Sequence, residues 1–245
     1  MARTDTLGNF LTDVAEAIRT KKGTSETIQA SQFDTEIANL PSGGGLDWSA
    51  IGYDSTPQSI VDGYNYAKEI YDNWDETPTT LSRKFQYDYN IIFMPLVNTS
   101  NATLMTSMFN GCYNLMTIPL LNTSNVQGMS GMFQNCYGLN EIPLLNTSNV
   151  TNMASMFSGC KILKTLPLLN TSKVTNMSGM FYDCPQLTNE SLDNILQMCI
   201  NAISYTGTKN LTTLNLDNAT IYPVSRIEAL PHYQDFIDAG WTIGY

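Results

Sequence analysis

The sequence predicts an α/β solenoid, a one-dimensional stack of coils with one short parallel strand per coil and a capping element at either end. Three observations predict it. Aligned on Pro95, Pro119, Pro143 and Pro167, consecutive segments repeat with a fixed period of 24 residues, and an unbroken short period marks units that contact only their neighbours. Stacking turns letters into columns: Cys112, Cys136, Cys160 and Cys184 form one, and Phe109, Phe133, Phe157 and Phe181, each preceded by Met, form another. The apolar run Leu163-x-x-Leu166-x-Leu168 recurs as Leu139, Ile142, Leu144 and as Leu115, Ile118, Leu120, which supplies a strand to each coil.

Residues 1–40 are expected to form a helical module for attachment and oligomerisation. Leu7, Phe10, Leu11, Val14, Ala15 and Ile18 recur at helical spacing, with Lys21, Lys22 and Gly23 as a basic last turn and stop. A second helix opens at Ser31 and presents Phe33, Ile37 and Leu40. Two such helices are too small to stand alone, so they are expected to pack on each other, on a sister chain or on a larger assembly, with folding back on the solenoid as the alternative. Residues 41–45, Pro-Ser-Gly-Gly-Gly, read as a flexible linker.

Residues 46–94 are expected to cap the solenoid at its N-terminal end. Thr56-Pro57 opens a helix whose buried stripe runs through Ile60, Tyr64, Ala67 and Ile70 to Trp74. One step of 24 back from the first clear repeat puts Phe85 under Phe109 and Leu81 under Met105. The same step puts Ile91, Met94 and Leu96 under Leu115, Ile118 and Leu120, as a capping coil requires.

In the repeats, residues 95–187, the leucines and Met-Phe pairs are expected to fill the interior. The cysteines read as buried, inert thiols. Zinc sites use close-set pairs with His ligands, whereas here the spacing is 24 and His232 is distant; a disulfide set is the other alternative. Asn98, Asn122, Asn146 and Asn170 read as turn residues whose side chains bond local backbone, with a polar binding ladder as the alternative. The following Thr and Ser are expected to bond locally too, and the Asn-Thr-Ser match to a glycosylation acceptor is taken as repeat chemistry. Proline lacks the N–H that a central strand needs. The strand is therefore expected to make only two or three ladder bonds, or to turn its proline nitrogen away.

Residues 188–245 are expected to close the stack. Leu187 and Leu192 keep their columns while Glu190 replaces the middle leucine, and a helix with Ser191, Leu192, Ile195, Leu196 and Cys199 follows. Leu211, Leu214 and Leu216 repeat the strand signature. Stretches 223–229 and 233–239 read as helices, with Gly240 as a stop and an aromatic end, from Trp241 to Tyr245, that covers the final coil.

Composition excludes several functions. Lys and Arg total 12 against 22 Asp and Glu, a formal net charge of −10, and an acidic chain without a basic cluster is a poor match for nucleic acid. The excess lies in the flanks: 95–187 carries 3 basic and 2 acidic residues, against 3 and 8 in 46–94. A near-neutral repeat surface meets a partner through hydrogen bonds and shape. No secretory signal is evident at the start, no apolar run reaches transmembrane length, and no membrane insertion is expected. The chain holds one histidine and no nucleophile-elbow, Walker or zinc-protease motif. No enzyme activity, catalytic residue, cofactor or metal is expected.

Recognition would be written where the repeats differ. On the approach to the strand these positions are Tyr113 and Asn114, Tyr137, and Lys161; on the strand they are Met116 and Thr117, Asn140 and Glu141, and Lys164 and Thr165. Two stacked tyrosines with amides nearby suit a sugar or a protein loop. Surface drift between duplicated units is the structural alternative.

The sentence L-N-T-S-N-V-T-N-M-S-x-M-F-x-x-C-x-x-L-x-x-L-P-L, nearly whole at 145–168 and 169–184, resembles the BspA-like bacterial-surface class of leucine-rich repeats. The resemblance covers 95–187, with capping relatives to 216, and Pro stands where many members have Asp before the strand leucine. It implies a solenoid adhesin or recognition surface. The segment FLTDVAEAIRTKKGTSETIQASQFDTEIANL resembles the small helical module that opens many structural proteins of tailed phages of low-GC Gram-positive bacteria, and the ending DFIDAGWTIGY is similar to how such repeat proteins close. Those resemblances imply a receptor-binding tail or baseplate protein, made in the host cytoplasm and carried on the virion. Residues 1–40 would attach to tail or baseplate proteins, as a homotrimer by analogy, and the solenoid would bind a host cell-surface glycan or protein. A purely structural decoration or assembly protein of the virion and a bacterial surface adhesin are the alternatives.

Overall fold

Where the backbone N–H groups go decides the shape of each coil. The computed structural model describes residues 66, 69, 70, 72–74, 78–92, 94, 95, 97–216 and 220–244. In 105–112 the N–H groups alternate between two destinations. Those of Met105, Ser107, Phe109 and Gly111 donate to the carbonyls of Gly128, Ser130, Met132 and Gln134 in the next coil, at 2.9, 2.9, 2.9 and 2.7 Å. Those of Met108, Asn110 and Cys112 donate back to Met105, Ser107 and Phe109 at 3.2, 3.2 and 3.0 Å. Each coil is thus a row of tight turns that also bonds along the stack.

That alternation needs left-handed backbone twice per coil. Arg83, Ser107, Gly131, Ser155 and Gly179 form one positive-φ column, and Tyr87, Gly111, Asn135, Gly159 and Asp183 form the other. Gly, Asn and Asp tolerate this region at little cost, while Arg83 and Tyr87 in the capping coil are held there by their bonds to the next coil.

The interior matches the predicted columns. The rings of Phe85, Phe109, Phe133, Phe157 and Phe181 stack at centroid spacings of 5.5, 5.7, 5.8 and 5.8 Å. Met105, Met108, Leu115 and Ile118, with their equivalents, are buried around them. The Asn expectation holds: Asn122, Asn146 and Asn170 Oδ1 each accept from the backbone N–H and hydroxyl of the Ser two residues on, and Asn98 accepts the N–H of Ser100.

The strand expectation fails in three places. Among the described residues there is no parallel sheet; coils meet in isolated parallel bridges. One column runs Thr80, Leu104, Gly128, Asn152 and Asn176, and Glu141 pairs with Thr165. Pro143 and Pro167 stand two residues after the second bridge positions Glu141 and Thr165, where a missing N–H would end any ladder. Leu120, Leu144 and Leu168 do not face the core. Leu121, Leu145 and Leu169 do, with Val97 in their column. The inward step is three residues (115, 118, 121), the spacing of a turn, not the two of a strand. Finally, Leu211–Leu214 is a 3-10 helix capped by Asn210, whose Oδ1 accepts the Thr212 N–H at 2.7 Å. Phe181 donates to Leu214 O as Phe157 donates to Met180 O, so Leu214 stands in the methionine column.

The NTS threonines differ from expectation as well. Thr99, Thr123 and Thr147 are buried, and their hydroxyls donate to Asn122, Asn146 and Asn170 carbonyls of the next coil at 2.9 Å. Asn125 and Asn149 Nδ2 reach back to Ser100 and Ser124 carbonyls at 2.8 Å.

Both ends of the core are closed. Tyr66, Ile70 and Trp74 pack against it; Trp74 stacks 6.3 Å from Phe85, and its Nε1 donates to Asn98 O at 2.9 Å, the asparagine carbonyl that receives a threonine hydroxyl in later coils. Ile60, Tyr64 and Ala67, like residues 1–45, lie outside the described residues. At the other end, helix α1 (Asn189–Asn201) is N-capped by Thr188 and buries Leu192, Ile195, Leu196 and Cys199. Leu192 is buried in this helix, so it does not continue the exposed column of Leu168. Helices α2 (Val224–Glu228) and α3 (Tyr233–Asp238) follow, and Gly240 at φ +83° ends α3. Trp241 is buried between Tyr205 and Phe236 at 5.2 and 5.9 Å, and Thr242 bridges to Asn210 beside the final turn; Tyr245 lies outside the described residues.

Candidate recognition surface

Because the period puts equivalent side chains one coil apart, an outward residue in one repeat lies beside its equivalent in the next. Tyr113 and Tyr137 follow the buried Cys112 and Cys136 and project outward from the same corner. Their rings lie 4.6 Å apart at 2°, and Tyr89 extends the row at 5.1 Å from Tyr113. Lys161 completes it: its Nζ sits 5.2 Å from the Tyr137 ring centroid and 3.5 Å from Asp183 Oδ2. Desolvation in the stack, and then the neighbouring Tyr89 and Tyr137 phenols, hold the Tyr113 hydroxyl above its usual pKa.

This geometry narrows what the row can do. Tyr113 has a ring on each face and Tyr137 lies between Tyr113 and Lys161, so neither offers a free π-face. Edges and phenol hydroxyls remain, suited to hydrogen bonding and edge contact more than to sugar stacking.

The other predicted positions lie beside this row. Asn114 Nδ2 donates to Tyr89 O at 2.8 Å. Met116 N–H donates to Ile92 O at 2.7 Å, Met94 N–H to Thr117 O at 3.4 Å, and Lys164 N–H to Asn140 O at 2.8 Å. The backbone of these columns is spent holding coils together, while the side chains of Glu141, Lys164 and Thr165 are exposed. The fold thus brings Tyr113, Tyr137 and Lys161 together as one row, with the 116/140/164 and 117/141/165 columns alongside. Tyr89 and Asp183 were not singled out from sequence, although a step of 24 back from Tyr113 finds the first.

The cysteines are free and buried. Their thiols donate to the Phe85, Phe109, Phe133 and Phe157 carbonyls at 2.9, 3.2, 3.1 and 3.0 Å. Burial pushes Cys112 and Cys184 up to about 12 and raises Cys136, Cys160 and Cys199 in the same direction. These are packing groups, not nucleophiles. His232 bonds Asp193 twice, through its N–H at 2.9 Å and its Nδ1 at 2.7 Å, which ties the start of α3 to α1. Among the described residues no group of His, Cys, Asp and Glu could hold a metal ion, and no helix is long and apolar enough to cross a membrane.

The buried columns, inter-coil bonds and caps define the described part of the chain as a solenoid of 24-residue coils joined by isolated parallel bridges. Residues 79–195 match the family described as "Mycoplasma protein of unknown function, DUF285". Among solved structures, the leucine-rich repeat protein of T. pallidum is similar at 23% identity and a TM-score of 0.35, over 44% of this chain and 48% of that one. The chain thus aligns with under half the length of that protein. No curated protein matches.

Proposed function

We propose that this chain is a non-enzymatic recognition protein of a phage tail or baseplate, whose solenoid binds the surface of the bacterial host. The observation that carries the reading is the exposed row Tyr89, Tyr113, Tyr137 and Lys161, which the core does not require. A large aromatic side chain held rigidly at the surface presents contact area at low entropic cost, the composition found at protein binding surfaces. The near-neutral repeats suit a ligand met through hydrogen bonds, a surface glycan or a protein loop. The resemblances of the chain's two ends support the virion context, with residues 1–40 as the attachment to tail or baseplate proteins.

A second reading, a bacterial surface adhesin, uses the same row. The family match over 79–195, to a family described from Mycoplasma, favours it.

Binding of the full-length chain to intact host cells and to purified wall polysaccharide tests the recognition claim, with Tyr113→Ala/Tyr137→Ala as the comparison. Loss of adsorption in the variant, with its folded stability retained, supports recognition. Undiminished adsorption sinks it, and undiminished adsorption together with failed particle assembly points to a decoration or assembly protein.

A further inference from the structure

A second exposed column has no part in that reading. Leu120, Leu144 and Leu168 are 62%, 61% and 38% exposed, although Leu121, Leu145 and Leu169 beside them already fill the core. Three successive coils therefore carry a leucine that the fold leaves in water. Beyond Leu168 the stripe opens into a groove of about 500 Å³, walled by Leu168, Leu169, Ile200 and Ile203 with Asn170 and Asn201 at its edge. Ile203 is 82% exposed. A contiguous apolar stripe of this kind marks an interaction surface.

We propose that the occupant is a second copy of this chain, docked antiparallel about a two-fold axis that crosses the stripe between Leu144 and Leu168. The stripe is periodic, so it complements itself in steps of one coil. With the axis placed there, Leu144 of each copy meets Leu168 of the other, and Leu120 reaches the other copy's groove beside Ile203.

Charge selects this register. The repeats carry only five charged residues, Glu141, Lys161, Lys164, Lys173 and Asp183, and Glu141 and Lys164 lie on neighbouring coils, three and four residues before Leu144 and Leu168, both exposed. A two-fold axis lying across the stripe keeps each column opposite itself and reverses coil order. Glu141 of one copy then lies opposite Thr165 of the other, one residue from Lys164 and within reach of its long side chain, twice per interface. A parallel arrangement keeps coil order and sets the coil of Glu141 against its own equivalent, residues 119–142, which bears no lysine. With the acidic excess in the flanks, the nearly neutral repeats are also where two copies approach with least repulsion.

The test is sedimentation equilibrium of full-length chains. The native chain is expected at twice the mass of the Leu144→Asp variant, whatever residues 1–40 contribute to both. Glu141→Lys and Lys164→Glu chains are each expected to lose the doubling, because like charges then lie one residue apart across the interface. Mixed in equal amounts they are expected to recover it, since each supplies the charge that the other lacks. An internal Glu141–Lys164 contact within one chain could not produce that recovery. Equal masses for the native and Leu144→Asp chains, with folding of both confirmed by circular dichroism, overturn the proposal, as does a mixture that stays undoubled.

Discussion

Tyr113 and Tyr137 lie face to face, with ring centroids 4.6 Å apart and planes 2° from parallel. Two exposed residues held so closely report the coil spacing directly, and they separate what the row contributes to binding from what it contributes to the fold. Removing both phenol hydroxyls by Tyr113→Phe/Tyr137→Phe keeps the stack. The double variant is expected to stay within about 0.5 kcal/mol of the native stability, as surface changes do, while adsorption to host cells falls at least severalfold. Urea unfolding and a cell-binding isotherm check the two halves separately.

Phe133 sits in the middle of the interior ring stack, 5.7 Å from Phe109 and 5.8 Å from Phe157. Its neighbours are fixed by inter-coil bonds above and below, so they cannot collapse into the space. Phe133→Ala is expected to cost roughly 3–5 kcal/mol, read as a lowered midpoint in denaturant. A stability unchanged from native would mean that the ring column does not carry the core.

The buried hydroxyl of Thr147 donates to Asn170 O at 2.9 Å and joins two coils. Thr147→Val keeps the shape and removes the donor, at an expected cost of about 1 kcal/mol. Thr151→Val, at an exposed position whose hydroxyl bond is longer at 3.2 Å, should cost measurably less. Thermal melts of the pair give the comparison.

Gly159 has φ +78°, and a Cβ there would lie 2.4 Å from Asn135 Oδ1. Gly159→Ala is expected to destabilise by about 1–3 kcal/mol, from backbone strain and from that collision together. Asn135→Gly added to it removes the collision and leaves the strain, so partial recovery is the expected result. Full recovery would show that the left-handed column is not strained.

The thiols set the alkaline limit. In the folded chain Cys112 and Cys184 are pushed from an ordinary 9.0 up to about 12, and Cys136, Cys160 and Cys199 are raised too. Unfolded thiols ionise first, so the unfolded state gives up protons that the folded state keeps. Stability is therefore full below pH 9 and is expected to fall between pH 9 and about 12. Urea midpoints across that range check it, and at pH 8 a thiol reagent should label the native chain only as fast as it unfolds.

How much could be read ahead follows from what a repeat constrains. Cys136 and Phe133 were legible because neighbours at the same place in the coil force the same environment on every copy, so letter and burial recur together. Asn146 was legible because an Asx turn is local. Leu144 was misread because a three-residue inward step and a strand signature share their first two leucines. Leu214 was misread because Met-x-x-Met and Leu-x-x-Leu have the same spacing, and only the bond from Phe181 to its carbonyl tells which column it fills. In the candidate site, Tyr113, Tyr137 and Lys161 were found as the variable positions of the corner, but Tyr89 belongs to a cap whose other polar letters have drifted.

The amino-acid sequence by itself determined the period, the interior columns, the inert thiols and the neutrality of the repeats, because each of these is a property of position within one 24-residue unit. The tertiary structure alone decided which leucines face water, where the NTS threonines send their hydroxyls, and that the tyrosine faces are closed to a ligand. The physical reason is the pair of left-handed residues in every coil. They set which backbone donors point along the stack and hence which way each side chain leaves it, yet Ser, Gly, Asn, Asp, Arg and Tyr all occupy those positions, so no single letter announces them.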